Sequence, residues 1–234
     1  MKRNKIIFYY IILSIIASIF ILILTFLSPL HTNVIVIYDK LFIGGAFITS
    51  CIFGISLAVY PQWLKKLTKH TTSHLDDIKY KKKIRRYYGH HPDCGNFKNH
   101  IIEIKNKTFC AGCLGLSIGS MISIILMIIY VFVVKGESST QFYYLIFFGL
   151  IIIGFIYVEI ILTIRNAIIH VISNIFLVLS FFIVTISIFE ITGDKVYGII
   201  SVIISFLFLS TRIQLSNWQH TRICERCNET CKVY

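Results

Sequence analysis

Cysteine and histidine side chains concentrate in two stretches of this 234-residue chain. Each stretch contains a Cys-x2-Cys pair, Cys110 with Cys113 in the first and Cys224 with Cys227 in the second. A two-residue spacer lets one turn of backbone present both sulfur atoms to the same ion, so paired motifs of this kind indicate a tetrahedral zinc site. The predicted metal ligands are His90, His91, Cys94, His100, Cys110, Cys113, His220, Cys224, Cys227 and Cys231.

These candidate ligands fit two ions better than one, and two groupings of them are open. The first grouping forms one site in each stretch: Cys94, His100, Cys110 and Cys113 in one, and His220, Cys224, Cys227 and Cys231 in the other. The second grouping joins the two Cys-x2-Cys pairs and leaves the ligands that precede Cys110 for another metal. A reducing compartment would keep the cysteines as thiolates rather than disulfides. Zinc, as one or two ions, is therefore the predicted cofactor, with iron as the alternative.

The composition excludes an ordinary soluble domain. Hydrophobic residues make up 56% of the chain and the mean hydropathy is +0.77, whereas a soluble fold needs a more polar surface. A hydrocarbon core of about 30 Å is crossed by roughly 17 to 25 apolar helical residues. The predicted spans are residues 6–28, 41–60, 114–134, 142–164, 167–189 and 196–211. The predicted fold class is an all-α integral membrane protein with six transmembrane helices and a small cytosolic Cys/His metal-binding cap.

Basic residues predict the orientation, because Lys and Arg near membrane spans stay on the cytoplasmic side. Six spans would place the following segments on the same side of the membrane: both tails, residues 61–113 and the link at Arg165. This side contains 20 of the 23 Lys and Arg residues. The other three are Lys40, Lys135 and Lys195. The prediction is a multi-pass protein of the cytoplasmic membrane with both termini in the cytosol. This topology accounts for the net charge of +12, so no nucleic-acid partner is expected.

The long segment between the second and third spans has two parts. Residues 63–88 mix lysine with apolar and aromatic side chains, which predicts a helical piece at the membrane interface, in contact with anionic headgroups. Residues 101–109 have the pattern of a short β-hairpin with Asn106 near its turn, and this hairpin delivers Cys110 to the third span. There the positive end of the helix dipole favours the thiolate forms of Cys110 and Cys113.

The layout predicts four regions and one close helix contact. Gly115 and Gly119 form a Gly-x3-Gly pair in the third span, which indicates close packing against another helix. The regions are residues 1–60 with the first two helices, 61–113 with the basic segment and the Cys/His knuckle, 114–216 with the other four helices, and 217–234 as a cysteine-rich cytosolic tail.

Polar side chains within membrane spans indicate function by default, and Glu159 is one of them. Pairing of Glu159 with Arg165 or His170 would neutralise charge near the cytosolic headgroups. This structural role is favoured, because a residue near a helix end reaches water easily. In the alternative, Glu159 faces the metal and acts as a general base beside a metal-bound water. The first two predicted spans contain no ionisable residue.

The box Cys110-Ala111-Gly112-Cys113-Leu114-Gly115, preceded by Cys94-Gly95-Asn96-Phe97, resembles an uncharacterised domain-of-unknown-function family of small polytopic membrane proteins. Members of that family carry a Cys-His opening, a Ser-Phe-like element and a Cys-Ala-Arg-Cys-Thr-Gly box that enters a helix. This chain differs in Gly112, where the family has Arg, in Leu114, where it has Thr, and in a His-His-Pro-Asp-Cys opening. The resemblance implies the polytopic layout and brings no established activity.

Three functions are consistent with these features. The favoured one is a scaffold or interaction component of a membrane assembly, with another membrane protein as partner, because thiolate-rich zinc sites with four protein ligands are closed and structural. The second is a membrane metalloenzyme acting on a lipid or quinone-like substrate at the inner interface, with His90, His91 and His100 around an open metal and Glu159 as base. It predicts a pocket that joins those histidines to the fourth span. The third is a transporter or metal-sensing regulator, which needs polar residues along a path through the bundle.

Overall fold

The computed structural model describes residues 2–27, 35–59, 87–88, 100–104, 107–133, 139–162 and 166–225. Its six helices are all long and apolar enough to cross a membrane, so this part of the chain is α-helical and has the architecture of a multi-pass membrane protein, as predicted. In chain order the elements are α1 (Lys2–Leu27), α2 (Ile37–Val59), β1 (Tyr87–Tyr88), β2 (Ile101–Ile104), β3 (Lys107–Cys110), α3 (Ala111–Val133), α4 (Ser139–Ile161), α5 (Ala167–Thr192) and α6 (Lys195–Glu225).

Helix α5 is the centre of the bundle. It packs against α3, α4 and α6, and over a shorter stretch against α1. Nearly every residue from Leu177 to Thr192 is buried. Around this helix, α2 packs on α3 and α1 packs on α6. Large apolar side chains remain exposed on the outer helix faces, which is the expected surface for contact with lipid.

The turn between α5 and α6 is short and fully capped. Gly193 has a left-handed φ of 63°, and its N–H group donates to the Phe189 carbonyl at 2.8 Å. Asp194 then caps α6, because its Oδ1 atom accepts a hydrogen bond from the Val196 N–H group at 2.8 Å. The two helices therefore run antiparallel from this turn.

Gly115 and Gly119 allow α3 to approach α5 closely. A Cβ atom at position 115 would lie 2.5 Å from the Val171 carbonyl oxygen, and one at position 119 would lie 2.9 Å from the Ile175 Cα atom. Both obstacles are backbone atoms that cannot rotate away, so glycine is required at both positions. The close helix contact predicted from the Gly-x3-Gly pair is confirmed, and its partner is α5.

A small sheet precedes α3. Strands β2 and β3 pair antiparallel with Ile101 opposite Cys110, which confirms the predicted hairpin. Strand β1 pairs in parallel with β3, so β3 is the middle strand. The interfacial helix predicted up to residue 88 is wrong for its last two residues, Tyr87–Tyr88, because aromatic side chains also suit an edge strand and β3 offers a pairing edge. The rest of that predicted helix, residues 63–86, lies outside the described residues.

Two helix ends differ from the predicted spans. Helix α3 begins at Ala111, so Cys113 lies in its first turn instead of preceding it. Helix α6 continues to Glu225, beyond the predicted end of the span at residue 211 and beyond residue 217, where the tail was expected to start. No Gly or Pro follows Gly198 before the end of α6, so nothing in the local sequence stops this helix.

The end of the bundle opposite the hairpin contains a buried ion pair. Lys40 Nζ, in the first turn of α2, lies 2.9 Å from Glu190 Oε1, and both side chains are at most 5% exposed. Tyr130 donates a hydrogen bond to the same carboxylate oxygen at 2.5 Å, and Lys40 Nζ lies 4.9 Å from the centre of its ring. Because α2 begins at Ile37, the prediction that the second span contains no ionisable residue is wrong.

Candidate functional site

Four parts of the chain meet at one end of the bundle, called the hairpin end below: the β2–β3 hairpin, the start of α3, the α4–α5 junction and the last turns of α6. Cys110 is the last residue of β3, and Cys113 lies in the first turn of α3. Their thiol groups are hydrogen-bonded to each other, and neither cysteine is in a disulfide. The strand runs directly into the helix, so both sulfur atoms lie at the helix N-terminus, where the dipole favours negative charge.

The guanidinium group of Arg212 reaches these thiols from α6. Arg212 is only 8% exposed, and it interacts electrostatically with Cys110, Cys113 and Glu159. Gly112 leaves room for it, since a Cβ atom there would lie 2.9 Å from Arg212 Nη2. The sixth predicted span ends at residue 211, directly before Arg212, so the sequence predicts that Arg212 lies outside the membrane on the cytosolic side. In the structure it is a buried cation beside the two thiols.

A carboxylate and three imidazole rings complete the hairpin end. Glu159 Oε1, near the end of α4, lies 3.2 Å from His170 Nδ1 on α5, which confirms the predicted pairing of Glu159 with His170. The His170 ring stacks on the His100 ring at a centroid distance of 4.9 Å, and the His220 ring meets His100 edge-on at 5.6 Å. The rings thus form a row from α5 to α6. Arg165, the other predicted partner of Glu159, lies outside the described residues.

Several buried polar atoms near these rings have no hydrogen-bond partner within the ranges described. They are both Glu159 carboxylate oxygens, His170 Nε2, Asn174 Oδ1, Arg212 Nε and Gln219 Nε2, so the 3.2 Å contact of Glu159 with His170 is an ion-pair contact and not a hydrogen bond. Leaving such a group unpaired costs about 1–3 kcal/mol, so buried groups of this kind in a native protein usually have a further partner, such as water or an ion. Their concentration here indicates that the hairpin end is built to contact something more than the described side chains.

The predicted metal ligands are only partly brought together. Four of them, His100, Cys110, Cys113 and His220, lie at the hairpin end, and Cys224 lies in the last turn of α6. Within the described part of the chain, no group of three or more His, Cys, Asp or Glu side chains is arranged to hold a metal ion. The predicted ligands that lie outside the described residues are His90, His91, Cys94, Cys227 and Cys231.

A cavity of about 430 Å³ starts at the hairpin end and extends into the bundle between α2, α3, α5 and α6. Cys113 and Arg212 lie at its polar end, and mostly apolar side chains line the remainder. Neither His100 nor Glu159 lines this cavity. It is therefore a different pocket from the one that the metalloenzyme interpretation predicts.

Arg212 is the main residue of the site that sequence reasoning missed. The signal that could have found it is helical continuity, because Phe208, Arg212, Leu215 and Gln219 recur at spacings of three and four and are all buried. The apolar stretch alone, which ends near residue 211, does not show that the helix and its buried face continue.

No family model, no curated protein and no solved structure matches this chain. Function is therefore argued from the chemistry of the hairpin end itself.

Proposed function

We propose that this multi-pass protein lies in the cytoplasmic membrane, binds structural zinc through Cys110 and Cys113 at its hairpin end, and serves as a scaffold or interaction component of a membrane assembly. The observation that carries the proposal is the contact between the two thiols where β3 joins α3. Two adjacent sulfur ligands make half of a tetrahedral zinc site. The other ligands come from the remaining predicted residues, with Cys94 and Cys227 the foremost thiols outside the described ranges.

A structural role follows from the smallness of the hairpin sheet. Its strands contain two to four residues each, too few to bury a core of their own. Metal coordination supplies folding free energy to modules of this size, because the site forms only when the segments that provide its ligands come together. Zinc at Cys110 and Cys113 would thus fasten the central segment to the start of α3.

The resemblance of the Cys110–Gly115 box to the family described above is part of this proposal. That family has an Arg at the position of Gly112, whereas here the guanidinium of Arg212 approaches Gly112 from another helix. In this chain a guanidinium group therefore lies beside the thiols although residue 112 is glycine. Its positive charge lies close enough to interact with both thiols.

Orientation is also part of the proposal. The excess of basic residues supports a cytosolic location for the hairpin end and both termini. On this side the lysine-rich residues 63–88 would contact anionic headgroups, and the hairpin end would face a partner membrane protein.

Metal analysis of the purified full-length protein tests the zinc proposal. The wild type is expected to contain about one or two zinc ions per chain, and Cys110→Ser and Cys113→Ser are each expected to lose zinc together with thermal stability. Cys51→Ser is the matched control, because it removes a buried free thiol from α2 and leaves the pair intact. A wild type without zinc, or equal losses in all three variants, contradicts the proposal. Iron with visible absorption would indicate a redox centre instead.

A second candidate function is the membrane metalloenzyme with a lipid or quinone-like substrate. It is favoured by one specific observation, the buried Glu159–His170 pair in contact with the His100 ring. A carboxylate that holds an imidazole orients it and raises its basicity, and a carboxylate near a metal-bound water can act as a general base.

Cobalt substitution distinguishes the two functions. A closed structural site holds four protein ligands, so the visible spectrum of the cobalt-substituted protein should not change when a hydroxamate is added. A catalytic site keeps a position open, and its spectrum would change on hydroxamate binding. An unchanged spectrum supports the scaffold, and a shifted spectrum supports the enzyme.

A further inference from the structure

Zinc binding does not explain the cavity that Arg212 and Asn217 line at its polar end. It lies inside the bundle, and its far end is lined by apolar side chains of three helices, which are Phe47, Val178, Phe181 and Val202. Arg212 is a buried cation toward the opposite end of this apolar cavity. The two ends together have the pattern of an amphiphile site.

Between these two ends, the polar side chains of the cavity lining already have hydrogen-bond partners within the protein, so a bound molecule needs no polar atoms there. The hydroxyl groups of Ser50, Ser205 and Ser210 donate to carbonyl groups of their own helices, four residues earlier. Ser120 is hydrogen-bonded to Cys51. The serines that line the cavity therefore present mainly their carbon atoms to its interior, and they suit a hydrocarbon chain.

Arg212 is the buried polar group that points to a ligand. It is 92% buried, it lines the cavity, and its Nε atom has no hydrogen-bond partner among the described residues. The neighbouring carboxylate, Glu159, lies 3.2 Å from His170 and also interacts electrostatically with Arg212, so the Arg212 atom that remains without a partner is Nε. A carboxylate or phosphate is the group that a guanidinium binds best, because parallel N–H groups meet two of its oxygen atoms.

Size and access fit a single hydrocarbon chain that enters from lipid. A volume of about 430 Å³ lies within the range of small-molecule pockets, roughly 300–1,000 Å³. Along α6 the cavity is lined from Asn217 to Val202. The part between Arg212 and Val202, at ~1.5 Å per residue, is about 15 Å long, or half of a hydrocarbon core of about 30 Å. Phe53, Phe206 and Ile213 line the cavity and are also exposed on the outer surface, so it borders the lipid between α2 and α6.

We infer that this cavity binds a single-chain anionic amphiphile, with the hydrocarbon chain between α2, α3, α5 and α6 and the carboxylate or phosphate on Arg212. The inference goes beyond the proposed scaffold, and it does not depend on metal at the hairpin end. The hydrocarbon chain lies parallel to the lipids of one leaflet, and the anionic group lies at the depth where α3 begins.

Fluorescence of a long-chain polyene fatty acid bound to the purified full-length protein tests the charge of the site. Arg212→Gln is expected to weaken binding of the acid about tenfold, whereas Arg222→Gln is expected to leave it unchanged. Arg222 is the matched control, because it is exposed on the same helix and stacks on Trp218. The methyl ester of the same fatty acid should bind the wild type about tenfold more weakly than the acid and should not respond to Arg212→Gln. Equal binding of acid and ester overturns the inference, and this comparison needs no variant to fold.

A second pair of variants tests the place of the chain. Gly54 lines the cavity, and a Cβ atom there would meet only Ser120 Oγ, at 3.9 Å, so Gly54→Leu fills the space without striking backbone. Gly45→Leu is the matched control on α2, because nothing lies within 4 Å of a Cβ atom at that position. Loss of fatty-acid binding in Gly54→Leu but not in Gly45→Leu is expected. Equal affinities in the two variants overturn the inference.

Competition identifies the source of the anionic group. If a single-chain lysophosphatidic acid displaces the probe at a lower concentration than oleic acid does, the anionic group of the natural ligand is a phosphate. If oleic acid displaces it at the lower concentration, the group is a carboxylate. A two-chain phosphatidic acid should compete poorly, because the cavity has room for one chain. Failure of both single-chain competitors overturns the proposal.

Discussion

The Glu159 carboxylate lies 3.2 Å from His170 Nδ1, and both side chains are largely removed from water. Glu159→Gln removes the charge that interacts with His170 and with the buried cation Arg212, so we expect a loss of about 1–3 kcal/mol in the free energy of unfolding. Chemical denaturation of the detergent-solubilised protein measures it. Glu103→Gln is the control, since that carboxylate is exposed on β2. Equal effects of the two substitutions would show that the pair contributes nothing.

Lys40 and Lys195 provide a matched test of buried and exposed ion pairs. Lys40 lies 2.9 Å from Glu190 with both side chains buried, whereas Lys195 lies 3.4 Å from Asp39 with both more exposed. Lys40→Met should cost on the order of 3–5 kcal/mol, because it leaves a buried carboxylate without its cation. Lys195→Met should cost about 1 kcal/mol or less. Comparable unfolding free energies for the two variants would contradict this assignment.

At the residue scale, the sequence predicts contacts between residues close together in the chain. It does not predict contacts between helices that are far apart in the chain. The pairing of Glu159 with His170 could be predicted, because the two residues flank one short junction. The position of Arg212 beside Cys113 could not, since the contact joins segments far apart in the chain. The second predicted span begins at residue 41, because a charged residue such as Lys40 usually ends an apolar stretch. The partner of Lys40, Glu190, lies on another helix.

The packing of α3 on α5 is the element contact that the sequence predicted most directly. Gly115→Leu would drive a side chain into the Val171 carbonyl oxygen, so we expect a loss of about 3 kcal/mol, at the upper end of overpacking costs. Gly154→Leu is the control on α4, because nothing lies within 4 Å of a Cβ atom there. Thermal unfolding in detergent measures both. A Gly115→Leu variant as stable as Gly154→Leu would mean that the two helices do not meet at this position.

Element boundaries were harder to predict than the elements. All six helices and the β2–β3 hairpin can be predicted from the lengths of the apolar stretches and from the strand pattern. Strand β1 cannot, because a run of two aromatic residues is too short to be recognised as a strand. Helix α6 extends to Glu225 although its apolar stretch ends much earlier. Hydropathy marks where a helix leaves lipid, and capping or breaking residues mark where it ends.

At the scale of the whole molecule, the six candidate spans of the described residues predict that both termini lie on one side. The basic residues predict that this side is the cytosol. An epitope inserted after Asp194, in the exposed α5–α6 turn, should be labelled on intact cells, whereas a C-terminal epitope should be labelled only after permeabilisation. Labelling in the reverse order would invert the orientation and would place the hairpin end in an oxidising compartment, where Cys110 and Cys113 would favour a disulfide.

X-ray absorption at the zinc edge of the purified wild-type protein tests the central claim most directly, because it reports the ligand atoms of the metal. The account predicts a sulfur shell at about 2.3 Å with two or more sulfur atoms. It also predicts that Cys110→Ser reduces this shell and that Cys51→Ser does not. A zinc ion surrounded only by nitrogen and oxygen, or a protein that binds no zinc, would contradict the claim that Cys110 and Cys113 hold the metal.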